Sequence, residues 1–273
     1  MSWSGSTFKE IAMNKSIRLI GLMLAGFLLS ACSSSPALTD MNEWDLVWIS
    51  DSSGWDVAQV YAAMMEEDTG IKVNVHDNWI GGLPAARVLH ALQGESNASF
   101  TLERLADEIS EAEVIVLYGN PTESLDPVNP GDWMCVDDLG KNYVNNCERE
   151  TFNQYIQDLE GIYALIFELR AGQPTIVRAF DAYNPHISRF QEQGVYDDCK
   201  ACWANYNAAI HQAAARYNVP VAEVALAWNG PAWDQDPVAM GYTRDGIHPN
   251  EEGARVIAEA LRALGYEPVI SGR

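Results

Sequence analysis

The sequence predicts an α/β fold: a three-layer α/β/α sandwich around a central parallel sheet of about five strands. Three observations carry that expectation. Short apolar runs alternate with amphipathic runs five times along the chain, the pattern of a parallel sheet with helices on both faces. One run, Glu113–Tyr118, is almost unbroken, as a strand buried on both faces requires. Polar turns follow the first three runs, where α/β sheets form their ligand crevices.

Residues 1–31 read as a leader. Lys15 and Arg18 precede an apolar run, Leu19–Leu29, and small residues follow at Ser30 and Ala31. The run is too short to span a bilayer comfortably. Leu29-Ser30-Ala31-Cys32 resembles a bacterial lipobox, which makes Cys32 the lipidated first residue of the mature chain. An ordinary cleaved leader is the alternative, and Met13 offers a second start. Residues 32–43 are a polar tether, and 44–273 read as a single domain.

Within that domain, Asp45–Ser50 is the first strand. A helix follows with Val57, Val60, Tyr61 and Met64 as its buried stripe, ending at Thr69-Gly70. Ile71–Val75 is the second strand. Residues 83–93 and Leu102–Glu111 read as helices, and Glu113–Tyr118 is the third strand. A loop-rich insertion spans 120–149. Phe152, Tyr155, Ile156, Leu159, Ile162, Tyr163, Ile166 and Phe167 then recur at helical spacing. Pro174–Phe180 is the fourth strand, Asp181–Cys199 a polar segment, Cys202–Tyr217 a helix and Val219–Val224 the fifth strand. A Trp-rich loop, 228–244, leads to the last helix, Glu251–Leu261. This order suits a flavodoxin-like sheet.

Charge narrows the partners. The full chain carries a formal −21. Removing residues 1–31 takes three of the 17 basic residues and one of the 38 acidic ones, leaving 242 residues at about −23. So acidic a surface argues against nucleic acid and against anionic membrane. Membrane contact is expected only through a lipid on Cys32. Four further cysteines, Cys135, Cys147, Cys199 and Cys202, suit disulfides in an exported chain. Proximity favours Cys135–Cys147 and Cys199–Cys202. The Cys199/Cys202 pair lacks the second pair a zinc site needs, and no metal is expected.

The chemistry is concentrated in Asp245-Gly246-Ile247-His248-Pro249-Asn250. Asn250 suits an N-cap, and Glu251 and Glu252 suit the positive end of the helix. The tight turn lets an acid hold one ring nitrogen of a histidine and leave the other free as a base. Taken alone, Asp-x-x-His is more often a capped turn than a site. The other strand ends decide the matter. Ser50-Asp51-Ser52-Ser53-Gly54 follows the first strand, Gly81-Gly82 the second and Asn120 the third. Together these supply a nucleophile, a backbone donor, a side-chain donor and an acid–base pair, the inventory of acyl transfer.

On those four blocks, in that order, the mature chain resembles the SGNH (GDSL-type) serine esterase/lipase family. The resemblance implies Ser52 as nucleophile with His248 and Asp245 completing the triad. It implies an oxyanion hole from Ser52, Gly82 and Asn120, with no cofactor and no metal. Ser50 stands where the family has glycine, and Pro121 where it has an acid. Ser53 as nucleophile and Gly81 as donor are the alternative registers. The expected substrate is a carboxylic ester with a short acyl, acetylated-sugar or lipid component, and the expected location is a bacterial cell envelope. The competing reading is a non-catalytic ligand-binding surface lipoprotein on the same fold. Trp55, Trp79, Trp228 and Trp233 flank the turns, as pocket lining or as packing. His76, His90, His186 and His211 lack a nearby acid in this pattern and read as surface or satisfied core residues.

Overall fold

The computed structural model describes Leu38 and residues 41–95, 102–125, 135 and 147–269. All lie in the compact unit Pro36–Arg273. The leader and Cys32 lie outside the described residues. Five parallel strands form one sheet: β1 Glu43–Ser50, β2 Lys72–Trp79, β3 Val114–Leu117, β4 Ile176–Phe180 and β5 Val221–Ala222. Their order is β2-β1-β3-β4-β5, the flavodoxin-like arrangement. The chain reverses direction across the sheet between β1 and β3, so the crevice belongs above those two strands.

The central strands form because their residues are apolar on both sides. Leu46, Val47, Trp48 and Ile49 of β1 and all four residues of β3 are buried. β2 is an edge strand, and it runs four residues beyond the apolar run Ile71–Val75. Asp77 and Asn78 favour strands poorly, but residue-by-residue pairing with β1, as far as Ser50 opposite Trp79, overrides that preference.

Two helical layers enclose the sheet. Helix α1 (Val57–Thr69) packs on α9 (Glu251–Arg262), and α8 (Val224–Asn229) packs on α9. Helices α2 (Ala85–Leu92), α3 (Leu105–Glu111) and α7 (Tyr196–Arg216) gather around α5 (Asn153–Leu169). Short helices α4 (Thr122–Leu125) and α6 (Ile187–Gln193) lie in the loop-rich insertion and in the polar segment Asp181–Cys199. The fifth strand is only two residues long. Glu223 turns the chain, and Val224, Ala225 and Trp228 bury as one face of α8 instead of as strand and loop. Among the described residues, no helix is long and apolar enough to cross a membrane.

The disulfides correct the expected pairing. They join Cys135 to Cys199 and Cys147 to Cys202, with Cα–Cα distances of 5.4 and 4.8 Å. Helix α7 starts at Tyr196, six residues earlier than its apolar pattern suggests, so both Cys199 and Cys202 are helical. Three residues apart on a helix, their side chains leave the same face side by side, and each meets a cysteine from the 120–149 insertion. Disulfides persist in oxidising compartments, consistent with maturation outside the cytoplasm. Peptide mapping without reduction should recover the 135–199 and 147–202 links, and replacing both members of either pair by serine should lower stability by about 2–4 kcal/mol in denaturant titration.

Candidate active site

Three loops meet at the carboxyl end of β1. The first follows Ser50. Asp51 is 3% exposed, and its carboxylate caps a 3-10 turn over Ser52–Gly54 by accepting the Ser53 N–H at 2.7 Å. Burial raises the Asp51 pKa, against the hydrogen bonds from Ser53 and Asn120. Gly54 is required here. A Cβ on it would lie 2.2 Å from Ser50 Oγ, which itself accepts a hydrogen bond from Trp48 Nε1 at 2.8 Å. Ser50 thus belongs to the buried support of the turn. Ser52 opens this separate turn instead of starting α1, which begins only at Val57.

Backbone hydrogen bonds stitch the other two loops to the first. Ile80 N donates to Ser50 O at 3.0 Å, and Leu83 N closes the Ile80–Leu83 turn at 3.0 Å. Gly82 takes a φ of +67° in that turn, a conformation suited to glycine, and is exposed. The loop after β3 is joined in turn, with Asn120 N on Leu83 O at 3.1 Å and Ala85 N on Asn120 O at 2.9 Å. Asn120 is fully buried. Its amide nitrogen donates to Asp51 Oδ2 at 3.2 Å, and its oxygen accepts from Thr122 N and Oγ1.

The fourth piece arrives from the far end of the chain. Asp245 Oδ1 accepts the backbone N–H groups of Ile247 (3.0 Å) and His248 (2.8 Å), and Oδ2 lies 2.6 Å from His248 Nδ1. Gly246, at φ +94°, permits so tight a turn. Asn250 caps α9 by accepting from Gly253 N at 3.0 Å. The Tyr183 hydroxyl donates to Ile247 O at 2.8 Å, holding the loop that carries His248. His248 Nε2 lies 3.0 Å from Ser52 Oγ. The structure therefore brings Ser52, His248 and Asp245 into one line, and it is Ser52, not Ser53, that meets the imidazole. With the Nδ1 proton facing Asp245, the Nε2 lone pair faces the Ser52 hydroxyl.

A scan against protein-family models finds no match, and a search of curated proteins finds none. Solved structures do match. A lipase from a goat rumen metagenome aligns with a TM-score of 0.58 at 20% identity, over 82% of this chain and 98% of that one. A candidate GDSL-like lipase from Parabacteroides merdae aligns at 0.54 and 12%, over 83% and 98%. An acetyl xylan esterase variant from Geobacillus stearothermophilus aligns at 0.53 and 16%, over 84% and 97%. These structures share the three-layer α/β/α fold around a parallel sheet. At these identities the likeness concerns the fold alone.

Around this crevice, the tryptophans divide. Trp55 stacks on Trp79 (centroids 5.2 Å apart, planes at 20°) and touches His248 edge-on at 5.9 Å. Arg244 Cζ lies 4.2 Å from the Trp55 centroid. Trp55 is thus in contact with Trp79, His248 and Arg244 at once and is partly buried among them. Trp228 is core, stacked on Tyr183 at 3.8 Å, and Trp233 lines a separate cavity with Asp181, His211 and Glu223.

Three of the other histidines do meet acids, supplied from elsewhere in the fold or, for His90, just beyond its helix. His76 faces Asp45 at 3.2 Å, His211 faces the buried Asp181 at 3.2 Å, and His90 faces Glu95 at 4.0 Å. His186 is half-buried, and its pKa falls to about 4, chiefly through desolvation. Among the described residues, no cluster of metal-ligating side chains is found. Sequence reasoning missed Arg244 and Tyr183. Arg244 directly precedes the Asp-x-x-His block, which was its one available signal; Tyr183 had none.

Partial burial alone would raise the Asp245 pKa, but the His248 ring and two backbone N–H groups outweigh it and hold the carboxyl at about 2. Its contribution to stability is therefore complete above the unfolded value of about 3.9 and is lost as pH falls from there through the folded value. Wild type should melt above Asp245→Asn at neutral pH, and thermal scans should show that gap closing in the acid range below about pH 4.

Proposed function

We propose that the chain is a serine esterase that hydrolyses carboxylic esters through an acyl-enzyme. One observation carries the reading: a hydroxyl, an imidazole and a carboxylate in line, at 3.0 and 2.6 Å, on the crevice side of an SGNH-type sheet. Ser52 Oγ attacks the ester carbonyl while His248 Nε2 takes its proton. Asp245 fixes the ring tautomer and stabilises the imidazolium. The negative charge that develops on the carbonyl oxygen is met by the N–H groups of Ser52 and Gly82 and by the second amide N–H of Asn120, each worth about 3 kcal/mol of barrier. His248 then protonates the departing alcohol oxygen. Water, deprotonated by His248, attacks acyl-Ser52 and frees the acid. No step calls on a metal or organic cofactor.

The substrate we favour is a small acyl ester, an acetylated sugar among the candidates. Support comes from the acetyl xylan esterase among the fold neighbours and from the open position of the site, where the Asp245 side chain is 48% exposed. We further propose that the chain is exported, lipidated at Cys32 and held in a bacterial envelope, where its acidic surface leaves the lipid as its one membrane contact.

Ser52→Ala should abolish hydrolysis of p-nitrophenyl acetate and labelling by a fluorophosphonate, while Ser53→Ala keeps both. A Ser52→Ala protein as active as wild type would end the reading. Comparing acetyl with long-chain acyl esters would test the substrate preference.

A further inference from the structure

We propose that Arg244 is a positioning residue: it clamps the loop carrying His248 to the turn carrying Ser52 and so sets the distance the proton crosses. What the clamp does for catalysis rests on the esterase reading above; the clamp itself does not.

Arg244 is attached in three directions. On its own loop, Nε donates to Pro249 O at 2.7 Å, and its backbone N donates to His248 O at 3.0 Å. Toward the nucleophile turn, Nη2 donates to Asp56 Oδ2 at 2.6 Å. Its guanidinium carbon lies over the Trp55 ring, 4.2 Å from the centroid. Trp55 and Asp56 follow Ser52 by three and four residues, so one side chain grips both halves of the line. Only a guanidinium does this. One edge serves Pro249, one amino group serves Asp56 and the plane serves Trp55, whereas an ammonium offers a single compact charge and no plane.

The rest of the geometry is consistent with a strut. Trp55 touches Trp79 at the end of β2, His248 and Arg244, so the aromatic contacts reach from the sheet edge to the loop carrying His248. Asp56 lies between the 3-10 turn and α1 at φ +64°, a left-handed conformation disfavoured for a residue with a side chain. Its contact with Arg244 accounts for an aspartate at that joint. The ion pair is partly exposed, at 32% for Arg244 and 57% for Asp56, so it contributes geometry more than global stability. A small misplacement of the base is enough to be costly in acyl transfer.

The test compares wild type with Arg244→Ala, Arg244→Lys, Asp56→Asn and the Arg244→Ala/Asp56→Asn double variant. In p-nitrophenyl acetate hydrolysis, both Arg244 variants should lose about 10- to 100-fold in kcat with KM held within about threefold. Lysine should rescue little. Asp56→Asn should fall between, and the double variant should be no worse than Arg244→Ala, because both substitutions cut one link. Thermal midpoints should stay within a few degrees of wild type. Without substrate, the downfield proton of the His248–Asp245 bond should be sharp by NMR in wild type and broadened in Arg244→Ala. Wild-type kcat and an unchanged ring proton in Arg244→Ala would overturn the clamp, as would full rescue by lysine or a loss confined to KM. A wild type that neither turns over ester nor takes the fluorophosphonate would sink the esterase reading instead, and the ring proton alone would then decide the clamp.

Discussion

The 3.0 Å contact between Ser52 Oγ and His248 Nε2 joins residues 196 positions apart, and every other feature of the crevice bears on keeping it. No local segment can hold such a contact, because closing so long a loop has an entropic cost that one hydrogen bond does not offset. The sheet meets that cost. β1 is buried on both faces and paired on both edges, so the turn leaving it starts from a fixed point. Backbone hydrogen bonds then carry that fixed point sideways, from Ser50 to Ile80 and from Leu83 to Asn120. Helices α1 and α9, which follow the Ser52 turn and the His248 loop, pack on each other.

Two aspartates beside Ser52 have pKa values pushed in opposite directions. Asp245 is half exposed and takes three hydrogen bonds from its own loop, which favours its charge. Asp51 is buried beneath the Ser52 turn, where desolvation disfavours its charge. The first is suited to facing a transient imidazolium. The second is suited to organising N–H groups, since it already holds Ser53 and Asn120. Divergent environments for paired acids are a common way to divide such labour.

Much of this was legible in the chain. The apolar runs disclosed the five strands because a doubly covered sheet forces continuous hydrophobicity, and Asp-x-x-His could be read because its geometry is local. The misreadings share a cause, which is that tertiary contacts decided what the residues left open. Asp77 and Asn78 joined β2 because β1 was beside them. The segment after Ala222 coiled into α8 because Trp228 found a partner in Tyr183. Arg244 looked like one more surface charge until Trp55 and Asp56, nearly two hundred residues away, were set against it. Sequence distance also misled the cysteine pairing, since a helix turns Cys199 and Cys202 outward together.

That crossed pairing has a consequence for how the protein is made. A chain emerges from its N-terminus, so Cys135 and Cys147 are available to an oxidant before Cys199 and Cys202 exist. The first bond open to them is with each other, and it is a bond the finished protein does not contain. Correct maturation requires either that oxidation lag behind synthesis or that an exchange catalyst undo the early link. Yield in a host should therefore follow that host's capacity for thiol shuffling more closely than its capacity to oxidise.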